Sequence, residues 1–299
     1  MQISIIIPVF NASQFIEEAV NSALLQTQTA EIILVDDGSS DGSFEICESL
    51  SSKHEKVHFF FHPNRENKGP SASRNLGMEN VRYDYFSFLD ADDYYLPGRF
   101  DCAERVLSKN SNIDGVYGKI KNLFWDESQK EKYSDTIEID ENFNGGNLFL
   151  FLIKDKYPCF GFTSLVLRRK IIDNQIRFDK SFIYAEDIDF IYQITNDYLL
   201  IPDGSHDPSG IRRIHGNNMT MNVDYTSQHW RQKLLEKWFR KALNEKMESR
   251  CVRALLYRKI CQSVYDFNIS PNSWLRFPIK ILATVYYIFS YPILILKII

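Results

Sequence analysis

Three carboxylates crowd four positions where the apolar run Phe86-Ser87-Phe88-Leu89 gives way to Asp90-Ala91-Asp92-Asp93. Like charges this close repel, and each favours water over a strand end. Solvent at a loop can neutralise such a group, or a hard cation with oxygen ligands can. Read as an extended strand end, the alternation puts Asp90 and Asp92 on one side and Asp93 on the other. Two carboxylates on one side suit Mg²⁺ or Mn²⁺ carried in with substrate phosphates. The plainer reading is an acidic, solvated loop.

Four other stretches carry residues of the same kind. Asp36-Asp37-Gly38-Ser39 ends an apolar run. A carboxylate there can accept the imide N–H of uracil or thymine, or the N–H pair on the edge of guanine. Neutral cytosine has no such ring N–H, so Asp37 disfavours a cytidine nucleotide; Asp-Gly is also an ordinary turn. Asn67 to Gly77, NKGPSASRNLG, sets Lys68 and Arg74 near a helix N-terminus, where cations and free backbone N–H groups suit phosphate. Tyr184 to Phe190, YAEDIDF, puts Glu186, Asp187 and Asp189 at a helix start, favoured by the helix dipole or poised as a general base. His215 stands in the Gly/Asn-rich RRIHGNNMT, where a lone histidine is as readily structural as a ligand.

The elements that must position these residues follow a regular rhythm. Ile3 to Val9 is nearly continuous aliphatic, the pattern of a strand covered on both faces. Asn11 offers a helix cap with Gln14 three residues on, before Phe15, Ile16, Ala19, Val20, Ala23 and Leu24 at helical spacing. Strands are expected at Glu31 to Asp36, Val57 to Phe61 and Tyr85 to Leu89, with helices between, which means a parallel α/β sheet. Ligands of such sheets sit at the carboxyl ends of the strands, where Asp36/Asp37 and Asp90/Asp92 both fall. Further strands are expected at Val116 to Leu123 and Thr163 to Leu167, a polar loop from Phe124 to Gly146, and helices from Glu186 to Tyr198 and from Trp230 onward.

Composition narrows the function. The 299 residues are 44% hydrophobic, enough for a large core in one or two domains. Five cysteines without a CxxC pair argue against a disulfide framework or a zinc site. The opening MQISIIIPVF reads as a first strand, with neither a basic leader region nor a cleavage site, so a cytoplasmic address is expected. From Trp230 on lie 13 of the 35 Lys and Arg residues but 4 of the 39 Asp and Glu residues. The acidic remainder is ill suited to nucleic acid and needs a metal to hold a diphosphate, while the basic end points to an anionic surface.

Taken together, SIIIPVFNASQFIEEAVNSALLQT, EIILVDDGSSDGS, NKGPSASRNLGM, FLDADD, YAEDIDF and RIHGNNMT resemble, in order and interval, the family 2 glycosyltransferases. The likeness covers roughly residues 1–225. It implies a GT-A fold, a mainly parallel sheet flanked by helices, and transfer of a sugar from a nucleotide-sugar, a UDP-sugar first, to an acceptor hydroxyl with inversion. It implies that Pro8 and Phe10 line the nucleotide pocket, that Asp37 reads the base, and that Asn67, Lys68, Arg74, Asp90, Ala91 and Asp92 bind the donor. Asp92, Asp90 and His215 are the implied metal contacts for Mn²⁺ or Mg²⁺. Asp187 is the implied general base, with Glu186 its neighbour on the acceptor side.

The expected organisation is a catalytic domain over 1–229, split into a nucleotide half (1–93) and an acceptor half (94–229), followed by a basic, hydrophobic helical region over 230–299. Between Lys280 and Lys297 lies an uncharged stretch of 16 residues containing Pro292. That is short for the roughly 30 Å hydrocarbon core, so it is expected to lie in the membrane interface on the cytoplasmic side. A lipid-linked or cell-surface glycan is the preferred acceptor class. A nucleotidyltransferase or a dinucleotide-binding dehydrogenase would place a Gly-rich loop where this chain has Pro8-Val9-Phe10-Asn11. A catalytically silent, transferase-like scaffold is the alternative, though it predicts a broken D-x-D or a missing base.

Overall fold

The computed structural model describes residues 1–126, 160–216 and 225–245, the stretches 134–137, 146–154 and 249–266, and positions 128, 130, 143, 218 and 247. Within these, the strands are β1 (Ile3–Val9), β2 (Thr29–Asp36), β3 (Val57–Phe61), β4 (Tyr85–Phe88), β5 (Tyr94–Tyr95) and β6 (Gly115–Tyr117). They continue with β7 (Ile120–Phe124), β8 (Thr136–Ile137), β9 (Val166–Arg168), β10 (Leu200–Pro202) and β11 (Gly210–Ile214). The helices are α1 (Ile16–Leu24), α2 (Ser43–Lys53), α3 (Pro70–Glu79), α4 (Asp101–Lys109), α5 (Leu148–Lys154), α6 (Lys170–Asp173), α7 (Glu186–Asp197), α8 (Tyr225–Asn244) and α9 (Ser249–Asp266).

β1 explains the main sheet. All of it but Pro8 is buried, so it needs a strand on each edge and cover on each face. It pairs in parallel with β2 on one side and β4 on the other. The full order is β10-β6-β9-β4-β1-β2-β3, parallel throughout except where β9 runs against β4 and β6. A second sheet, β5-β11-β7-β8, carries the strand that leads to His215. The core under β1 and β2 joins Ile5, Ile7, Ile32 and Leu34 to Ile16, Ala19 and Val20 of α1.

Three expectations are revised. The strand expected over Val116 to Leu123 is two strands in different sheets, β6 and β7, broken at Gly118, where a Cβ would meet the Asp203 carboxylate at 2.6 Å. The expected loop after Phe124 contains β8, paired antiparallel with β7. Asn11 does not cap α1, which begins at Ile16; with φ of 49° it turns the chain, and its Oδ1 accepts the Ser40 N–H at 2.9 Å.

Residues 1–145 and 158–221 form one compact unit, and 146–157 with 222–299 form another. The second contains α5, α8 and α9, with Leu234, Trp238, Phe239, Val252 and Leu255 buried in it. Among the described residues no helix is long and apolar enough to cross a membrane. The uncharged stretch between Lys280 and Lys297 lies outside the described residues.

Candidate active site

The carboxyl ends of β1, β2 and β4 converge, and the loops leaving them carry most of the singled-out residues. Pro8 is half-buried in β1, and Phe10 just beyond it is 52% exposed. At the end of β2, Asp36 turns inward and its Oδ2 accepts the N–H groups of Gly38 and Ser39 at 3.0 and 3.1 Å. Gly38, with φ of 78°, permits this turn: a Cβ there would meet Arg65 O at 2.7 Å and Asn67 N at 2.8 Å. That close approach lays the 65–68 segment over Asp37. The Lys68 N–H then donates to Asp37 Oδ1 at 2.8 Å. The side chains of Asn67 and Lys68 are exposed, Lys68 Nζ lying 3.4 Å from Glu66.

Asp37 is buried, and burial raises its pKa, against which the Lys68 N–H and the Ser73 hydroxyl pull as hydrogen-bond donors. Behind it lies His62, at the end of β3, with Nε2 3.6 Å from Asp37 Oδ1 and 3.0 Å from Ser73 Oγ. Burial lowers the His62 pKa, the nearby Asp37 charge opposing. The sequence reading passed over both His62 and Ser73. His62 was findable, since it ends a parallel strand at the ligand-binding edge.

The acidic run does not stay extended. β4 stops at Phe88, residues 91 and 92 turn, and the Asp93 N–H bonds back to Asp90 O. Strand alternation therefore does not apply, and the three carboxylates separate by partner. Asp90 Oδ1 accepts from Arg74 Nη2 at 2.9 Å. Asp92 Oδ2 accepts from Asn218 Nδ2 at 2.9 Å and lies 3.1 Å from His215 Nε2. Asp93 points into the protein, taking the Arg213 N–H at 3.0 Å and the Thr163 hydroxyl at 3.3 Å. Burial, then the charges of Asp92 and Asp90, push the Asp93 carboxyl well up, which favours the neutral form of the third acid and so eases the repulsion. Ala91 between them is buried.

Arg74 ties this loop to α7. Its Nη1 donates to Glu186 Oε1 at 2.9 Å while Nη2 holds Asp90, and its guanidinium lies over the rings of Phe162 and Phe178. Phe178 stacks on Phe190 of α7 with centroids 4.2 Å apart, which anchors the helix start. Ala185 precedes α7 with φ of 62°, a left-handed turn that sets Glu186 inward and leaves Asp187 half-exposed. Burial, then the Asp187 charge, raise the Glu186 carboxyl to about 7 against the pull of Arg74. Asp187 Oδ1 accepts the Ile188 N–H at 2.8 Å.

His215 is held by the second sheet. Its ring stacks on Phe15 at 5.0 Å and lies 5.4 Å from Trp125. Arg213, two residues earlier, donates from Nη1 to Asp92 O at 2.7 Å and pairs with Glu18. Arg213 and Asn218 are further residues the sequence reading left without a role. Among the described residues no group of three metal-ligating side chains occurs. The Asp92–His215 pair still fits a divalent ion. Two neighbouring donors on an octahedral ion, each about 2.0–2.1 Å away, lie about 3 Å apart, and these two are 3.1 Å apart. Diphosphate oxygens and water would complete such a shell.

Comparison with known proteins gives the family and the fold. Residues 4–175 match the family model described as Glycosyl transferase family 2. An uncharacterized glycosyltransferase of Rickettsia conorii is 30% identical over 234 residues, 75% of this chain and 37% of that protein. The minor teichoic acid biosynthesis protein GgaA of Bacillus subtilis is 27% identical over 204 residues, 64% of this chain and 42% of that one. The crystal structure of S. aureus TarS 1-349 shares the fold, with a TM-score of 0.63 and 19% identity, over 95% of this chain and 79% of that one. A TarS 1-349 structure in complex with UDP-GlcNAc matches with a TM-score of 0.61 and 17% identity, over the same shares. The mixed α/β architecture with a mainly parallel sheet is thus the expected GT-A arrangement. The chain spans little more than a third of the first curated relatives, 36% and 37% of their lengths.

Proposed function

Because the chain belongs to glycosyltransferase family 2, we propose that it transfers a sugar from a UDP-sugar to an acceptor hydroxyl, with inversion, in the synthesis of a cell-surface or lipid-linked glycan. The observation that carries this reading is the Arg74 bridge. One guanidinium joins Asp90, beside the donor-side loop, to Glu186, next to the proposed base Asp187. The complex of the neighbouring structure with UDP-GlcNAc and the teichoic acid role in the name of GgaA support the donor and glycan class.

The residues divide the work. Asp37 accepts the imide N–H of uracil, with Pro8 and Phe10 beside the nucleoside and the 67–74 segment along its phosphate edge. Asp187 takes the proton of the acceptor hydroxyl as its oxygen attacks the anomeric carbon. The bond from that carbon to the diphosphate oxygen breaks in the same step, so configuration inverts and no covalent enzyme intermediate forms. Glu186, held by Arg74 and with its carboxyl raised to about 7, can donate a hydrogen bond on the acceptor side when it carries a proton. Asp92 and His215 would hold Mn²⁺ or Mg²⁺, which supplies positive charge for the departing diphosphate. The C-terminal helical unit, with its basic excess, keeps the enzyme at the cytoplasmic face of a membrane near its acceptor.

Calorimetric titration with UDP, GDP, dTDP and CDP, with and without Mn²⁺, tests the reading. Metal-dependent binding of UDP above the others is the expected result. Failure of every nucleotide to bind would leave the silent scaffold as the better account.

A further inference from the structure

Arg213 is a long cation buried beside the acidic turn, and no step of the transfer uses it. Its backbone N–H donates to Asp93 Oδ1 at 3.0 Å, and its Nη1 donates to Asp92 O at 2.7 Å. One residue of β11 therefore grips two consecutive residues of the turn, one through the main chain and one through the side chain. The guanidinium is itself fixed. Its Nη2 pairs with Glu18 of α1, and its carbon lies 4.5 Å from the centre of the Tyr94 ring and 5.5 Å from that of Phe15. His215, two residues on, stacks on the same Phe15 at 5.0 Å and faces Asp92 Oδ2 at 3.1 Å. Asp92 is thus held at its carbonyl by Arg213, and its carboxylate meets the histidine that leaves the same strand. A planar fork of donors can fix such an arrangement, whereas a lysine ammonium is a point charge on a flexible stem.

We propose that Arg213 sets the metal specificity of the site: by clamping the Asp92 carbonyl it fixes the spacing of Asp92 and His215, and that spacing favours a small octahedral ion, Mn²⁺ or Mg²⁺, over Ca²⁺. The inference rests on Asp92 and His215 being the residues that hold the ion. A small octahedral ion taken by both donors needs them about 3 Å apart. Ca²⁺ accepts roughly six to eight oxygens in flexible geometry, which Asp92 and a diphosphate can supply wherever the carboxylate points. Freeing the carboxylate therefore weakens Mn²⁺ binding and leaves Ca²⁺ binding little changed. Arg213 acts on the ion only through Asp92 and is a positioning residue.

Calorimetric titration of UDP at a series of Mn²⁺ or Ca²⁺ concentrations decides it, since it gives the half-saturating concentration of each ion without any transfer reaction. The proteins are wild type, Arg213→Met and Arg213→Lys, each with a thermal melt in the absence of metal to show that it folds. Wild type should be saturated by less Mn²⁺ than Ca²⁺. Arg213→Met should raise the Mn²⁺ requirement about tenfold, the range seen when a ligand loses its support, and the Ca²⁺ requirement no more than about twofold. Arg213→Lys, which keeps the charge and loses the fork, should follow Arg213→Met. A wild-type ratio in Arg213→Lys would make the charge alone responsible and overturn the clamp. Equal weakening of both ions in either variant, or a wild type that takes Ca²⁺ as readily as Mn²⁺, overturns it too and leaves Asp92 and His215 standing as the ion site. UDP binding that ignores metal in the wild type removes that site, and the inference with it.

Discussion

Arg74 Nη1 lies 2.9 Å from Glu186 Oε1, joining α3 to the first residue of α7 across 112 positions of sequence. Both side chains are almost fully buried, so the ion pair is shielded from water and depends on its geometry. Removing one partner strands the other. Arg74→Met should destabilise the protein by about 1–3 kcal/mol, because it leaves Glu186 Oε1 and Asp90 Oδ1 without their donor. Adding Glu186→Gln to it should recover part of that loss. Urea denaturation at neutral pH measures both, and a loss below about 1 kcal/mol in the single variant would show the pair to be no more than a surface contact.

The same pair gives a pH dependence. Glu186 has a folded pKa near 7 against an ordinary 4.5, raised chiefly by burial. A group raised on folding contributes stability that is fully present below its unfolded value and is lost as pH rises through the folded one. Wild-type stability should therefore fall, relative to Glu186→Gln, between about pH 4.5 and 7, by on the order of 3 kcal/mol. Denaturation curves of the two proteins across that range test this. Parallel pH profiles would mean that Glu186 titrates in the folded protein as it does in the unfolded chain.

Much of the frame was legible because it rests on repeating patterns. Ile3 to Val9 and Ile32 to Val35 are apolar on both faces, and only a covered parallel sheet satisfies that. The helix from Glu186 was legible from Ile191, Ile194 and its acidic first turn. What escaped depends on contacts between distant residues. Nothing local in FSFLDADD says that Asp90 will turn to Arg74, Asp92 to Asn218, and Asp93 to the backbone of Arg213. His62 and Ser73 are 11 residues apart and become partners only once β3 and α3 are assembled. At Gly118, between β6 and β7, a Cβ would meet the carboxylate of Asp203, a residue far along the chain.

Asp92 and His215 give the metal prediction. Their donor atoms are 3.1 Å apart, and Asn218 orients the carboxylate. Asp92→Ala should abolish the effect of Mn²⁺ on UDP affinity and lower transfer by at least about a hundredfold. His215→Ala leaves the carboxylate and should raise the Mn²⁺ concentration for half-maximal binding by about tenfold, the range seen when a ligand loses its support. A manganese titration followed by calorimetry separates the two. Equal UDP affinity with and without Mn²⁺ in the wild type would remove the ion from the site.

Asp187 carries the sharpest prediction for the chemistry. It is half-exposed at the start of α7, beside a Glu186 that is buried and held by Arg74, so of the two it is the one free to meet an acceptor. Asp187→Asn keeps the shape and the hydrogen bond from the Ile188 N–H while removing the ability to take a proton. UDP binding should stay within about twofold of wild type, and transfer should drop by about 10² to 10⁴, the usual contribution of a positioned base. The control is Glu186→Gln, which removes the neighbouring carboxylate instead. If that variant lost transfer as deeply while Asp187→Asn kept it, the roles of base and neighbour would have to be exchanged. A carboxyl near 7 on Glu186 makes that exchange chemically credible, so both variants belong in one pH–rate series. With Asp187 as base, Glu186→Gln keeps most of its transfer activity and Asp187→Asn does not.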